Sequence, residues 1–427
     1  MLSRGTSPTA RPLPLDAVPT RRKRGFWRAS FAAAAMIALS ACNPNRFVSG
    51  WVPYWNATDG RAGFMDPTAT TMFSDISPFF FSALPDGTVG LVGSRAALDT
   101  TSHQAHIRGL HVLPSITDGS GKLVMAAILA DPASRAAHIA NIVSLTTTYA
   151  DIDGVDLDYE GFAFSDGRAS WPTTQPGWHA FIAELATALH NNGKLLSVTI
   201  PPTWIAAGNV TGYPVYDQAF IAVYADRVRL MVYDWSVSSP GPISPITWLN
   251  QVVAYSNSAL ANYKSKLQLG IPAYGRNWGR KVNSTEVCPD GALNTSSIEL
   301  ENMQALIDAH GATPARHLES GEMYFSYDVV ATGYSTAAIP PPPYVPPPNV
   351  APRVAPAAGS GLQPALRLTP PSTLLSCTVR HYVYYPDATA IQQHAQVALS
   401  NGWSGVVLWA LGYETADVYT ALANTTP

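Results

Sequence analysis

The chain has 427 residues, 47% hydrophobic and 13% charged, with 26 basic and 29 acidic side chains. That length supports one large domain with additions or two to three smaller ones, and the aromatic share of 10% excludes a wholly disordered chain, since it supplies apolar surface to offset ordering entropy. A formal charge of −3 without a basic stripe beyond residue 28 argues against a nucleic-acid partner.

The first element is a leader. Arg21 to Arg28 is basic, Ala29 to Ala41 is apolar, and Cys42 follows. A basic stretch before about a dozen apolar residues is a secretory signal, too short for a permanent span. The ending Leu39-Ser40-Ala41-Cys42 resembles a bacterial lipobox, which places lipid on Cys42 and the mature protein on the cell envelope; an ordinary cleaved signal or an uncleaved anchor remains open. With Cys42 lipidated, Cys288 and Cys377 are left as a pair in an oxidising compartment, giving a disulfide, the alternative being two separate buried thiols. Their spacing is not that of a metal site, and no cofactor is called for.

Eight short apolar runs follow, starting at Phe47, Asp75, Gly109, Ile152, Leu195, Val228, Leu267 and Ser404. Helical patterns separate several of them; one is Pro176 to Asn192, where Trp178, Phe181, Ile182, Leu185 and Leu189 recur at helical spacing before Asn-Asn-Gly. Buried parallel strands alternating with helices predict an α/β fold, a (β/α)8 TIM barrel, with a doubly wound open sheet as the alternative. The first seven starts lie 28 to 43 residues apart, whereas the eighth lies 137 beyond the seventh. A small α+β subdomain is therefore expected between strands 7 and 8, with a helix over Ser297 to His310 and strands over Gly321 to Val330 and Cys377 to Tyr385. The expected units are a leader (1–41), barrel strands 1 to 7 (42–281), the insertion (282–386) with a disordered Pro-rich loop (337–373), and the last helix–strand–helix (387–427). Residues 340–371 alone hold 12 of the 36 prolines, which no sheet ladder accommodates.

Chemistry concentrates in Asp151-Ile-Asp-Gly-Val-Asp-Leu-Asp-Tyr-Glu160, which holds five of the 29 acidic residues where composition alone would put fewer than one. Buried carboxylates must be paired or protonated, so an apolar strand does not gather them for stability. No basic residue stands nearby in sequence to make a structural ion-pair cluster. A calcium loop fails, because the sixth position from Asp151 is Asp156 where Gly is needed and the twelfth is Phe162 where Glu is needed. Alternation along a strand puts Asp156, Asp158 and Glu160 on one face, and crowding raises the pKa of one of them into the range of a general acid.

Asp153-Gly-Val-Asp156-Leu-Asp158-Tyr-Glu160 resembles the DGxDxDxE signature of glycoside hydrolase family 18, the chitinase-like hydrolases, on the fourth barrel strand. Met231-Val-Tyr233-Asp234 resembles the sixth-strand MxYD, Pro272-Ala-Tyr274-Gly-Arg276 the seventh-strand PxYGR, and Trp409 the eighth-strand tryptophan. The segments GVVLWALGYE and GPISPITWLNQVVAY look most similar to the spore-cortex and cell-wall N-acetylglucosaminidase branch. Where many chitinases carry SxGG, this chain has Ser115-Ile116-Thr117-Asp118, which detracts from a crystalline-chitin substrate.

The resemblance implies retaining hydrolysis of β-1,4-linked N-acetylglucosamine polymers, either chitin oligomers or the glycan of peptidoglycan, assisted by the substrate's own acetamido group. In that scheme Glu160 is the acid, Asp158 holds the acetamido N–H with Asp156 sharing its proton, and Tyr233 and Asp234 orient the group. Trp409 floors the sugar, Met231 and Tyr274 line the site, Arg276 pairs with cleft carboxylates or a sugar hydroxyl, and Asp153 is structural. Rim aromatics Trp51, Tyr54, Trp55, Trp204, Trp235 and Trp278 are candidates for sugar stacking or for core packing. The alternatives are an inert glycan-binding barrel and a structural envelope lipoprotein. No G-x-S-x-G or H-E-x-x-H occurs anywhere in the chain.

Overall fold

A computed structural model describes residues 46–334 and 374–425. The leader, Cys42 and the Pro-rich loop 337–373 lie outside the described residues.

Eight parallel strands close on themselves. They are β1 (Val48–Pro53), β2 (Phe73–Ala83), β3 (Ser115–Asp118), β4 (Gly154–Asp158), β5 (Leu195–Ile200), β6 (Arg227–Leu230), β7 (Leu267–Pro272) and, after the insertion, β13 (Gly405–Trp409). Each pairs with its sequence neighbours, and β1 pairs with both β2 and β13, which removes any free edge. All eight expected strands are present in this (β/α)8 barrel. β1, β4 and β7 are buried at every position, because helices cover one face and barrel side chains the other. Gly154 opens β4 where a Cβ would lie 2.1 Å from the Leu195 carbonyl oxygen, so only glycine lets β4 and β5 meet there.

The insertion is a five-stranded antiparallel sheet made of β8 (Tyr274–Lys281), β9 (Thr295–Glu299), β10 (Ala315–Arg316), β11 (Met323–Gly333) and β12 (Leu375–Tyr385), in the order β9-β8-β12-β11-β10. β8 follows β7 almost directly yet pairs only with β9 and β12, so the insertion's sheet starts before residue 282. The helix expected from Ser297 starts at Leu300, since residues 295–299 pair with β8. The helix expected from Pro176 spans Trp171–Asn191, with Pro172 in its first turn, where no N–H is needed. Cys288 and Cys377 form a disulfide, which ties the turn after β8 to β12.

Candidate active site

The barrel's C-terminal rim opens into a cleft of about 650 Å³. In-register pairing of β3, β4 and β5 sets Asp156 beside Ser115 and Ser197, and Asp158 beside Thr117 and Thr199. Asp156 lies beneath the cleft and is fully buried. Its Oδ2 accepts hydrogen bonds from Trp51 Nε1 (2.9 Å) and Ser115 Oγ (2.9 Å), and its Oδ1 accepts from Thr199 Oγ1 (3.0 Å).

A cation also reaches it, brought by the fold from a part of the chain remote from β4. Arg229, buried on β6, stands with Nη1 3.3 Å from Asp156 Oδ2 and donates to Ser77 Oγ (2.6 Å), Gln268 Oε1 (2.9 Å) and Asp75. Asp75 in turn pairs with Arg227 at 2.9 Å. Burial pushes Asp75 upward, but the two guanidinium groups outweigh it and hold the carboxyl below its ordinary value. These partners are far apart in sequence, and the one local trace is the alternating Arg227-Val-Arg229-Leu.

Asp158 and Glu160 differ from Asp156. Asp158 is buried, its Oδ1 has no hydrogen-bond partner among the described residues, and burial followed by the charges of Glu160 and Asp156 pushes its pKa well up. Glu160 stands just past β4 at the start of a helical turn, Gly161–Phe164. Burial and then the Asp234 charge push it to about 7. The site therefore holds two carboxyl groups whose burial favours the protonated form, beside an open cleft.

The backbone around Glu160 is braced from outside the barrel. Tyr216 OH donates to the Tyr159 carbonyl (2.6 Å), and Tyr159 OH lies 2.6 Å from His138 Nε2, whose Nδ1 faces the Gly87 carbonyl at 2.7 Å. The Asp118 carboxyl, where the SxGG pattern is lost, packs against Gly161: a Cβ there would stand 2.5 Å from Asp118 Oδ2.

On the far side of the cleft, Asp234 adopts a left-handed backbone (φ 59°) and accepts from Tyr274 OH and from Arg276 Nη2 (2.7 Å). Burial, then Tyr274 and the surrounding carboxyls, push the Tyr233 hydroxyl well up, so it remains a donor. Trp409 presents its ring among Trp51, Trp55 and Phe79, with the Phe79 centroid at 5.0 Å.

Of the residues singled out in the sequence, Asp158, Glu160, Met231, Tyr233, Asp234, Tyr274 and Trp409 line the cleft, together with Trp51, Trp55, Trp204 and Trp235. Asp156 and Arg276 support from behind it, and Asp153 sits at the opposite end of β4, where it accepts from Val112 N (2.9 Å). Of the other rim aromatics, Tyr54 lies outside the cleft lining and packs edge-on against Trp55 and Phe80, while Trp278 takes the core-packing alternative, fully buried in the insertion and donating to the Val237 carbonyl. Among the residues missed, Phe79, Phe164, Tyr213 and Trp248 complete the walls. Trp248 belongs to the helix Ile246–Ala259, in a segment singled out only for its similarity to the cell-wall branch.

A row of carboxyl groups under an aromatic-walled cleft, at the C-terminal rim of a (β/α)8 barrel, defines a chitinase-like glycosidase site. The chain belongs to the Glycosyl hydrolases family 18, whose sequence profile matches residues 50–414. A putative sporulation-specific glycosylase, YdhD, of Bacillus subtilis (strain 168) is 25% identical over 208 residues, covering 48% of this chain and 46% of that protein. The match thus spans less than half of that relative's length. The spore cortex-lytic enzyme SleL of Bacillus megaterium QM B1551 superposes with a TM-score of 0.63 at 16% identity, covering 90% of this chain and 75% of that one. A family 18 chitinase of Cycas revoluta in complex with (GlcNAc)3 superposes with a TM-score of 0.61 at 17% identity, covering 89% and 99%.

Proposed function

We propose that the protein hydrolyses β-1,4-linked N-acetylglucosamine polymers with retention of configuration, the substrate's acetamido group acting as nucleophile. The observation that carries this reading is the Asp158–Glu160 pair: Glu160 is held near 7 at the cleft wall, and the buried Asp158 Oδ1 has no hydrogen-bond partner among the described residues. A buried acceptor without a donor is costly unless a ligand supplies one, and an acetamido N–H does.

Glu160 gives its proton to the glycosidic oxygen as the bond from that oxygen to the anomeric carbon breaks. The acetamido oxygen of the −1 sugar attacks that carbon, forming an oxazolinium ion, while Asp158 accepts the N–H hydrogen bond and stabilises the positive charge. Tyr233 donates to the acetamido oxygen and Asp234 fixes its approach. Water then adds to the anomeric carbon as its bond to the acetamido oxygen breaks, which restores the acetamido group, and the water's proton passes to Glu160, which restores the acid. Trp409 floors the sugar ring, and Trp55, Trp204 and Trp235 extend the stacking surface. We place the protein outside the cytoplasm on the leader's pattern, with lipid on Cys42 holding it to the envelope.

The test is mass spectrometry of products from N-acetylglucosamine oligomers and purified peptidoglycan, for the protein without residues 1–42 and its Glu160→Gln variant. Fragments from wild type alone support the reading and identify polymer and cleavage mode. Equal release by the variant refutes it, and retention of uncut glycan by both proteins makes the barrel a binding module.

A further inference from the structure

The loop from Val232 to Ile246 carries Tyr233 and Asp234, yet most of its anchors come from the insertion. Besides the Tyr274 and Arg276 contacts to Asp234, Trp278 Nε1 donates to the Val237 carbonyl (2.8 Å) and Arg280 Nη2 to the Ser238 carbonyl (2.7 Å). Ile246 N donates to the Ser320 carbonyl (3.0 Å). At the centre of this grip is Glu322, fully buried just before β11. Its Oε2 accepts from Ile243 N (2.8 Å) and its Oε1 from Ser244 N.

Both clamped residues reach back to the reacting side of the loop. The Ile243 carbonyl accepts from Trp235 N (2.9 Å), immediately after Asp234. Ser244 Oγ donates to the Val232 carbonyl (2.5 Å), immediately before Tyr233. The carboxylate's two bonds therefore continue into two bonds that bracket Tyr233 and Asp234. Two adjacent N–H groups call for an acceptor with two free oxygens. An amide has one oxygen and would turn an N–H against one of the donors. Burying a carboxylate on hydrogen bonds alone carries a desolvation cost, and such groups serve function more readily than stability.

We propose that Glu322 is a positioning residue for hydrolysis: reaching from the insertion, its carboxylate fixes the Val232–Ile246 loop so that Tyr233 and Asp234 keep their aim on the acetamido group. The inference rests on the function proposed above. It makes the insertion part of the active site's construction and not only a wall beside it.

The experiment compares wild type, Glu322→Gln and Ser244→Ala, the last removing the link to Val232 without disturbing a buried charge. Steady-state kinetics on N-acetylglucosamine oligomers are measured alongside hydrogen exchange of the Ile243 and Ser244 amides. Misaligned positioning groups cost about 10- to 100-fold in rate. A fall of that size in kcat for Glu322→Gln, with KM changed much less, is expected. Ser244→Ala should show a smaller fall of the same kind, and both variants should prefer N-acetylated over deacetylated oligomers less strongly than wild type. Faster amide exchange in Glu322→Gln should accompany this. If the variants match wild type in kcat and selectivity while wild type is active, the inference falls and the proposed function stands. If Glu322→Gln does not fold, an unchanged kcat in Ser244→Ala overturns the inference by itself. A wild type that leaves both the oligomers and purified peptidoglycan intact overturns the proposed function and this inference with it.

Discussion

The barrel interior and the insertion solve opposite problems with the same kinds of residue. Inside the barrel, Asp156 and Asp75 are neutralised by Arg229 and Arg227 contributed from β6. In the insertion, the Glu322 carboxylate accepts only from backbone N–H groups among the described residues, and burial pushes it to about 7. The first arrangement is a closed ion-pair network that holds strands in register; the second is a single carboxylate holding a loop. The contrast shows that a buried acid is explained by its partners and not by its depth.

The largest expected effect is on chemistry. Glu160→Gln should lower turnover by about 10²- to 10⁴-fold, because an amide cannot donate the proton, and product release over time measures it. The same group sets the alkaline limb. Activity needs protonated Glu160, so the rate should fall as pH rises through about 7. The stability sign follows from linkage. The folded pKa is raised from 4.5 to about 7, so Glu160's stabilising contribution is full below about 4.5 and is lost as pH rises through about 7. Glu160→Gln should therefore be more stable than wild type at pH 8, by up to about 3 kcal/mol, with little gain at pH 4, as read from urea unfolding at both pH values.

The barrel side of the comparison is tested by Arg229→Met, which leaves Asp156 without its cation. Removing one partner of a buried pair costs about 3–5 kcal/mol, measurable by the same unfolding. A loss under about 1 kcal/mol would mean that Trp51, Ser115 and Thr199 suffice to hold Asp156. On the insertion side, a Cys288→Ser, Cys377→Ser pair should cost about 2–4 kcal/mol with the insertion loosening first, which limited proteolysis would reveal. The smallest effect belongs to Trp55→Ala. Trp55 is 52% exposed at the rim, and its loss should raise KM for long oligomers severalfold, by about 1 kcal/mol of stacking, while kcat changes little.

The order of strands was legible because each element carries its own period. β1 and β7 read as largely apolar runs, and the long gap after β7 exposed the insertion. The acid row was legible for a related reason: Asp156, Asp158 and Glu160 lie two apart on one strand and its end, where alternation alone assigns a common face. Arg229 was not legible, since its partner Asp75 stands 154 positions away and meets it only when the barrel closes. Trp248 was hidden by a similar limit, because only the packing of the helix Ile246–Ala259 brings its ring to the cleft.

The amino-acid sequence by itself determined the barrel and the local chemistry of β4, which follow from spacing along the chain, and pointed to the disulfide partners through the cysteine count. Tertiary structure alone decided which acids are paired, which remain open to a ligand, and how the insertion grips the loop after β6. The physical reason is that a charge or hydrogen-bond donor acts over a few ångströms of space, whatever its distance along the chain. Strand register and the packing of the insertion set those few ångströms, and no local pattern records them.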